Sequence, residues 1–244
     1  MRKFGLIGKN ISYSFSKTYF EDKFKKEKIT DASYENFDLQ SIQEFKDIFT
    51  NNSEIAGLNV TIPYKENVIL YLDKLNKKAK AIEAVNTIKI TKKGNLKGYN
   101  TDYYGFKNSL KPLLKNHHKK ALILGTGGAS KAIAFALNEL IIEYKYVSRT
   151  KTQDNFSYDE LDENIIKDYQ IIINCSPVGT HPNIDECPNI PYQALSNQHL
   201  LFDLIYNPTE TLFLKQGKKQ KAITCNGLKM LELQAEKAWE IWNK

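Results

Sequence analysis

A short segment in the middle of the chain combines small residues in the pattern of a dinucleotide-binding turn. The apolar run 121–124 leads directly into five residues that are glycine or small: Gly125, Thr126, Gly127, Gly128 and Ala129. Glycines between a strand and a helix allow a tight turn and let backbone N–H groups approach a pyrophosphate. Because Ser130 replaces the last glycine of the usual pattern, the motif alone is equally typical of a turn without a ligand. The apolar-faced helix predicted over 131–140 favours nucleotide binding.

The residues after the next predicted strand indicate which dinucleotide would bind. The strand 144–147 ends in Ser148, Arg149 and Thr150, where an NAD-binding unit normally carries Asp or Glu for the ribose 2′-hydroxyl. Arginine at this point favours a 2′-phosphate, because a guanidinium forms charge-assisted hydrogen bonds with phosphate. The sequence therefore predicts NADP as the cofactor.

Polar clusters also follow three predicted strands in the first hundred residues. Asn59, Thr61 and Lys65 come at the end of an apolar strand, and the segments 84–87 and 98–102 repeat the arrangement. Ligands of open α/β sheets bind at the carboxyl ends of strands. Each cluster has a purely structural alternative, since Asn and Thr satisfy turn backbones and Asp102 is a plausible helix cap. Three clusters ahead of a nucleotide-binding unit favour a substrate site.

Length and charge restrict the remaining possibilities. A chain of 244 residues forms one large domain or two of ordinary size, and 41% hydrophobic residues are sufficient for a core. The net charge of +7 comes from lysines interspersed with acidic residues, which favours a solvated surface and an anionic ligand over nucleic acid. Three cysteines, an odd count, indicate reduced thiols in a cytoplasm. We expect no metal site, because no second cluster of ligands accompanies the four histidines. No segment has the roughly 18 apolar residues needed to span a membrane.

Strands and helices alternate along the chain, which predicts an α/β fold with parallel sheets in both halves. In the first half we expect a helix capped by Ser16, a helical stretch over 63–72 and a hairpin around Gly94. The polar segment 151–168 is too short for a full crossover helix with its loops, so we expect a reduced connection there. The second half contains predicted strands that begin near residues 121, 144, 171, 200 and 222.

In order and content, these motifs resemble the shikimate dehydrogenase family over nearly the whole chain. Nine segments carry the resemblance: 5–8 with 14–16, 59–65, 83–87, 100–106, 125–129, 149–150, 174–179, 203–211 and 227–235. Five departures from the family pattern stand out, at Tyr13, Lys17, Ser148, Gln153 and Thr180. Gln153 stands where a second basic residue often helps to hold the 2′-phosphate, so the resemblance implies a weaker NADP preference than usual.

The resemblance implies two α/β domains with a cleft between them. The N-terminal substrate domain would contain residues 1–101 and regain the C-terminal helix, 227–244, while residues 102–226 would form a Rossmann-type NADP-binding domain. The implied reaction is the reversible NADPH-dependent reduction of 3-dehydroshikimate to shikimate, a step of the shikimate pathway toward chorismate and the aromatic amino acids. We expect a cytoplasmic monomer or homodimer with no nucleic-acid or membrane partner.

The resemblance also implies roles for individual residues. Lys65 would donate the proton, with Asp102 as its catalytic partner. Ser14, Ser16 and Tyr206 would hold the substrate carboxylate. The ring hydroxyls would be bound by Asn59, Thr61, Asn86, Asp102 and Gln234. Gly227 and Met230 would border the nicotinamide.

Three alternatives stay open at this point. The nearest is a dehydrogenase of quinate and shikimate or of an aminoshikimate analogue. A more distant one is a non-catalytic protein that senses NADP or a metabolite on the same fold, although the intact Lys65 and Asp102 pair argues against it. A nucleic-acid binder is the weakest, because no recognition motif accompanies the positive charge.

Overall fold

The computed structural model describes residues 1–12, 14–50 and 52–244, and it divides the chain into two compact units. The first unit consists of Met1–Thr101 and Ala235–Lys244, and the second of Asp102–Gln234. The sequence-based division places the return to the first domain at 227, whereas the second compact unit keeps the chain up to Gln234. Tyr13, one of the departures from the family pattern, lies outside the described residues.

The first unit is built on a six-stranded sheet with the strand order β2-β1-β3-β5-β6-β4. Its strands are β1 (Arg2–Gly8), β2 (Ala32–Asp38), β3 (Ile55–Val60), β4 (Lys74–Leu75), β5 (Thr87–Ile90) and β6 (Leu96–Tyr99). Its complete α-helices are α1 (Phe15–Lys26), α2 (Asp47–Thr50) and α3 (Lys77–Ile82), and 3-10 helices span Ile42–Lys46 and Asn67–Tyr71.

This first sheet is mixed, so the prediction of a parallel sheet in both halves is wrong for the first half. β3 pairs with β5, and β5 with β6, in antiparallel register. The hairpin around Gly94, whose φ of +79° suits glycine in a tight turn, accounts for the β5–β6 pair, because so short a connection can only join antiparallel strands. The strand β5 therefore runs opposite to both of its neighbours. Two local expectations also fail: Ser14 rather than Ser16 caps α1, and a 3-10 helix at Asn67–Tyr71 replaces the longer helical stretch.

The second unit contains a fully parallel six-stranded sheet with the order β12-β11-β10-β7-β8-β9. Its strands are β7 (Lys120–Leu124), β8 (Glu143–Ser148), β9 (Asn155–Ser157), β10 (Ile171–Asn174), β11 (Leu200–Asp203) and β12 (Ile223–Cys225). The strand order reverses between β7 and β10, which is the doubly wound arrangement of a Rossmann-type domain.

Helices complete the second unit. They are α4 (Asp102–Leu110), α5 (Gly128–Glu139), α6 (Glu163–Asp168), α7 (Leu212–Lys219) and the first part of α8 (Leu228–Asn243), which continues into the first unit. The segment 151–168 forms only β9, a 3-10 turn and the six-residue α6, as its shortness and polarity predict. Residues 121–124, 171–174 and 200–203 are all buried, because apolar clusters cover both faces of the central strands.

An aromatic cluster packs the end of α8 against the sheet of the first unit. The ring of Trp242 stacks on Phe4 with centroids 4.8 Å apart and lies 5.5 Å from Phe20. Its indole Nε1 donates a hydrogen bond of 2.9 Å to the carbonyl of Ile88. A Cβ atom at Gly57 would lie 2.2 Å from Nε1, so the glycine in β3 makes room for the indole.

We expect Trp242→Ala to destabilise the protein by about 3–5 kcal/mol, because it leaves a cavity between Phe4 and Phe20 and removes the donor to Ile88. Trp242→Phe keeps an aromatic ring and should lose only about 1–3 kcal/mol. Urea unfolding followed by circular dichroism measures both. An alanine variant as stable as the phenylalanine variant would contradict this account of α8 docking.

Candidate active-site residues in the two units

The glycine-rich turn joins β7 to α5 in the second unit. Gly125 has a φ of +105°, a conformation that favours glycine, and a Cβ there would lie 3.3 Å from the backbone nitrogen of Ser176. Gly127 occupies the N-cap of α5, which begins at Gly128 and runs for 12 residues. The buried hydroxyl of Ser130 donates a 2.6 Å hydrogen bond to the carbonyl of Gly127. Serine therefore fits at the position where the usual pattern has glycine.

Two adjoining cavities surround this turn. The larger, about 550 Å³, is lined by the turn and by Ser148, Arg149 and residues 175–178. The smaller, about 400 Å³, is lined by Thr126, Ser148, Arg149 and Thr150 among others. The structure thus brings together the predicted turn and the predicted 2′-phosphate residues. With the free N–H groups and positive end of α5 also present, this half of the chain fits an NADP molecule.

Arg149 is unusual in composition as well as in position. The chain contains 35 lysines and arginines, and only Arg2 and Arg149 are arginines. Arg2 is bound to the carboxylate of Asp31 through two hydrogen bonds, of 2.9 and 3.1 Å. Arg149 is exposed beside both cavities. A guanidinium suits a phosphate there better than an ammonium, because its planar fork donates two parallel hydrogen bonds.

A buried network fixes the loops that follow β10 and β11. The Asp203 carboxylate accepts hydrogen bonds from Thr211 Oγ1 (2.6 Å), the Ile205 backbone N–H (3.0 Å) and Asn174 Nδ2 (3.1 Å). Asn174 Oδ1 in turn accepts from Ser176 Oγ at 2.6 Å and from its backbone nitrogen at 3.0 Å. Burial raises the pKa of Asp203 to about 6, and the three hydrogen bonds partly offset that shift.

This network lies next to other predicted site residues of the second unit. The Gly227 backbone N–H donates to the carbonyl of Ile205 at 3.0 Å, and a Cβ at Gly227 would lie 2.1 Å from the carbonyl oxygen of Leu204. Tyr206 follows in the same loop, and burial raises the pKa of its phenol.

Helices α4 and α8 hold the remaining predicted residues of this unit. Met230 and Gln234 are buried on α8, where a Cβ at Gly105 of α4 would lie 2.4 Å from the Met230 carbonyl oxygen and 3.1 Å from Gln234 Cβ. Asp102, also buried, is the first residue of α4. The close packing at Gly105 therefore fixes α4 against the part of α8 that carries these residues.

In the first unit, predicted substrate residues share a buried polar network. Asn59 Oδ1 accepts a 2.8 Å hydrogen bond from the Tyr34 hydroxyl, and Asn59 Nδ2 donates to Thr87 Oγ1 at 3.3 Å. Asn86 Nδ2 donates to Thr101 Oγ1 at 3.0 Å, and Asn86 Oδ1 accepts from the Thr101 backbone nitrogen at 2.6 Å and from Thr101 Oγ1 at 3.2 Å. The strand-end amides at 59 and 86 are thus brought together.

Ser14 and Ser16 stand at the start of α1. The Ser14 hydroxyl accepts a 3.2 Å hydrogen bond from the backbone nitrogen of Ser16, which makes Ser14 the N-cap. The Tyr34 hydroxyl, which donates to Asn59, is completely buried, and this burial raises its pKa.

The segment that carries Thr61 and Lys65 is held by its backbone. The Thr61 backbone nitrogen donates to the carbonyl of Ile7 at 2.8 Å, and the Lys65 carbonyl accepts from the Val85 nitrogen at 2.7 Å. The buried Tyr64 hydroxyl donates to the Leu39 carbonyl at 2.6 Å. These anchors fix the backbone on both sides of Lys65, which is itself half-buried. Lys65 belongs to the first unit and Asp102 to the second.

Sequence reasoning missed two residues that organise these sites. Tyr34 lies in β2, where an aromatic residue is typical of a core, so no sequence signal distinguishes it. Asn155 opens β9, and its amide binds the backbone and side chains of the turn after β8. Polar residues are common in loops, so the residue type at 155 does not predict such a role.

Comparison with known proteins identifies the family. A model of the shikimate dehydrogenase substrate binding domain matches residues 6–88. The shikimate dehydrogenase (NADP(+)) of Methanosphaera stadtmanae is 39% identical over 257 residues, covering 98% of this chain and 90% of that protein. This chain belongs to the shikimate dehydrogenase family.

Solved structures of family members agree with this assignment. Shikimate dehydrogenase 1 from Peptoclostridium difficile is 37% identical, with a TM-score of 0.84, and the match covers 100% of this chain and 92% of that one. Shikimate 5-dehydrogenase from Thermus thermophilus, in complex with NADP(H) and shikimate, is 28% identical with a TM-score of 0.87, covering 99% and 93%. The predicted family, α/β fold class and class of NADP-dependent oxidoreductase are confirmed.

Residues 1–12, 14–50 and 52–244 contain neither a membrane-spanning helix nor a metal-binding cluster. No helix in these ranges is long and apolar enough to cross a membrane. In the same ranges, no three His, Cys, Asp or Glu side chains are grouped so that they could hold a metal ion.

We expect Asp203→Asn to change how stability depends on pH. Because folding raises the pKa of Asp203 from 3.8 to about 6, this residue favours the folded state below pH 4 and loses that contribution as the pH rises through 6. The free energy of unfolding of the parent minus that of the variant should therefore fall by roughly 2–3 kcal/mol between pH 4 and pH 7.5. Urea unfolding at a series of pH values measures this difference, and a constant difference would show that Asp203 titrates normally.

Proposed function

We propose that this chain catalyses the reversible NADPH-dependent reduction of 3-dehydroshikimate to shikimate, a step of the shikimate pathway. The observation that carries the proposal is the similarity to an NADP-dependent shikimate dehydrogenase over 98% of the chain. The cavities around the glycine-rich turn and Arg149 support the same cofactor. We further propose a cytoplasmic enzyme, monomeric or homodimeric, whose partner is its small-molecule substrate rather than nucleic acid or a membrane.

The second unit supplies the residues that would hold the cofactor. Gly125 permits the tight turn, Gly127 and the N-terminus of α5 offer backbone N–H groups to a pyrophosphate, and Arg149 with Thr150 offers donors to the 2′-phosphate. Gly227 and Met230 would border the nicotinamide ring. When bound, the reduced cofactor supplies the hydride that the carbonyl carbon accepts.

Lys65 would act on the carbonyl oxygen of the substrate. As hydride reaches the carbon, this oxygen gains negative charge, and an ammonium group can stabilise that charge and donate the proton. The anchored backbone around Lys65 restricts where the side chain can reach, which reduces the entropy lost on orienting it. We assign Asp102 as the catalytic partner of Lys65.

Other side chains would fix the substrate so that one ring carbon faces the cofactor. Ser14, Ser16 and Tyr206 would bind the carboxylate through neutral hydroxyl groups. The ring hydroxyls would be hydrogen-bonded by five polar residues: Asn59, Thr61, Asn86, Asp102 and Gln234. The hydrogen bonds among Tyr34, Asn59 and Thr87 support this assignment, because they orient the Asn59 amide before substrate arrives.

We expect Lys65→Ala to lower kcat by about 10²–10⁴-fold, the usual range for a lost general acid or base. The KM for shikimate should change much less, because the demand on the ammonium group is greatest in the transition state. Steady-state kinetics of shikimate oxidation measures both values. Lys93→Ala, in the exposed β5–β6 turn, is the matched control and should behave like the parent protein. Near-normal kcat in Lys65→Ala would end the assignment.

The substrate is tested by comparing acids with NADP+ and with NAD+, following absorbance of the reduced cofactor. We expect shikimate to be preferred over quinate by about 5- to 150-fold in kcat/KM, because a pocket fitted to the flat ring carbon beside the carboxylate leaves the extra hydroxyl of quinate unpaired. Equal values would indicate a dual shikimate/quinate enzyme. Preference for an aminoshikimate would indicate that analogue, and no turnover with any of them would indicate a sensor.

A further inference from the structure

We propose that Asn155 is a positioning residue that sets the preference of this protein for NADP over NAD. The geometry points to an indirect action: the Asn155 amide fixes the turn 148–152, and the turn aims Arg149 at the adenosine 2′-phosphate. The inference rests on the proposed function in that it assumes a phosphorylated dinucleotide in the cavity beside Arg149.

One amide binds the turn at three residues. Asn155 Nδ2 donates to Ser148 Oγ at 2.5 Å and to the Thr150 carbonyl at 3.0 Å. Asn155 Oδ1 accepts from Thr152 Oγ1 at 2.8 Å and from the backbone nitrogen of Thr152. The Ser148 hydroxyl also donates to the Thr150 carbonyl at 2.5 Å, so the residues on both sides of Arg149 are tied to each other and to Asn155.

Asn155 can hold this turn because its own position is fixed independently. It is the first residue of β9, which pairs in parallel with β8 and places Asn155 opposite Tyr146. The other end of β9 is held by a capping box, in which the Ser157 backbone nitrogen donates to Glu160 Oε2 at 2.8 Å. Lys151 is paired with the same glutamate. The amide therefore projects from a sheet edge that is anchored at both ends.

The charges in the smaller cavity explain why the direction of Arg149 matters. Among the described residues that line it, Arg149 is the only cation and Asp154 the only anion. A 2′-phosphate is attracted only if the guanidinium lies nearer to it than the Asp154 carboxylate does. Gln153, the residue between Thr152 and Asp154, adds no second positive charge. A mobile turn would let both charges sample the cavity, whereas a fixed turn preorganises the cation.

The test separates the phosphate from the rest of the nucleotide. Isothermal titration calorimetry measures binding of 2′,5′-ADP and of 5′-AMP to the parent protein, Asn155→Ala, Arg149→Ala and the control Asn197→Ala, which changes an exposed asparagine just before β11. We expect Asn155→Ala to weaken 2′,5′-ADP roughly 5- to 20-fold and 5′-AMP by less than about twofold. Arg149→Ala should show the same pattern more strongly, and Asn197→Ala should show neither effect.

The double variant Arg149→Ala/Asn155→Ala tests whether Asn155 acts through Arg149. If it does, the double variant binds 2′,5′-ADP about as weakly as Arg149→Ala alone, because Asn155 then has no cation left to position. Fully additive losses would overturn the positioning role, and so would equal losses of both nucleotides or unchanged selectivity. Asn155→Leu, which is similar in size and adds no charge but cannot donate to Ser148 or Thr150, provides the second variant and should lose selectivity as well.

Activity with shikimate keeps this inference distinct from the proposed function. If the parent protein binds 2′,5′-ADP selectively through Asn155 but does not oxidise shikimate, the proposed function fails and the positioning role stands. If the parent protein oxidises shikimate with NADP+ while Asn155→Ala keeps the parental ratio of NADP+ to NAD+ in kcat/KM, the positioning role fails and the function stands.

Discussion

Buried polar side chains at the ends of strands must be hydrogen-bonded, and the loops of both units depend on how this requirement is met. Asp203 is the strongest case, because a carboxylate with no exposed surface at the end of β11 must find several donors. It obtains them from β10, from the loop behind it and from Thr211. The loops that carry Ser176 and Tyr206 are therefore tied to one side chain, and their shapes cannot vary independently.

The same constraint organises the substrate residues of the first unit. Asn59 and Asn86 are buried, and each uses its amide on neighbouring strands and on Thr87 or Thr101. A flexible amide would have to be oriented at every turnover, whereas an amide held by Tyr34 and threonine hydroxyls is oriented beforehand. Stability and preorganisation thus come from the same hydrogen bonds.

In the cofactor half, binding is divided between backbone and side chain. The glycine-rich turn and the start of α5 contribute N–H groups whose positions follow from the parallel sheet, so they serve either dinucleotide. In the proposed function, discrimination between dinucleotides depends on Arg149, an exposed side chain on a short turn. A residue that fixes this turn would therefore affect specificity.

The sequence by itself determined the family, the Rossmann-type class of the second unit and the motifs that contain the candidate site. These follow from local signals: apolar runs of strand length, glycines at a strand-to-helix turn, and an arginine after the next strand. Local signals were less reliable in the first unit, where alternating strands and helices suggested a parallel sheet although β5 runs opposite to its neighbours β3 and β6. A helix cap was also shifted by two residues, because Ser14 and Ser16 are equally good caps by residue type.

Tertiary structure alone decided which polar residues hydrogen-bond to the candidate site residues and orient them. Tyr34 meets Asn59 across 25 residues of chain, and Asn174 meets Asp203 across 29. Asn155 contacts Ser148 only because β9 pairs beside β8. Residue type and spacing show that such side chains can form hydrogen bonds, but not with which partner, because the partner is fixed by strand order and register. The candidate chemical groups could therefore be predicted from the sequence, whereas the residues that position them could be identified only from the fold.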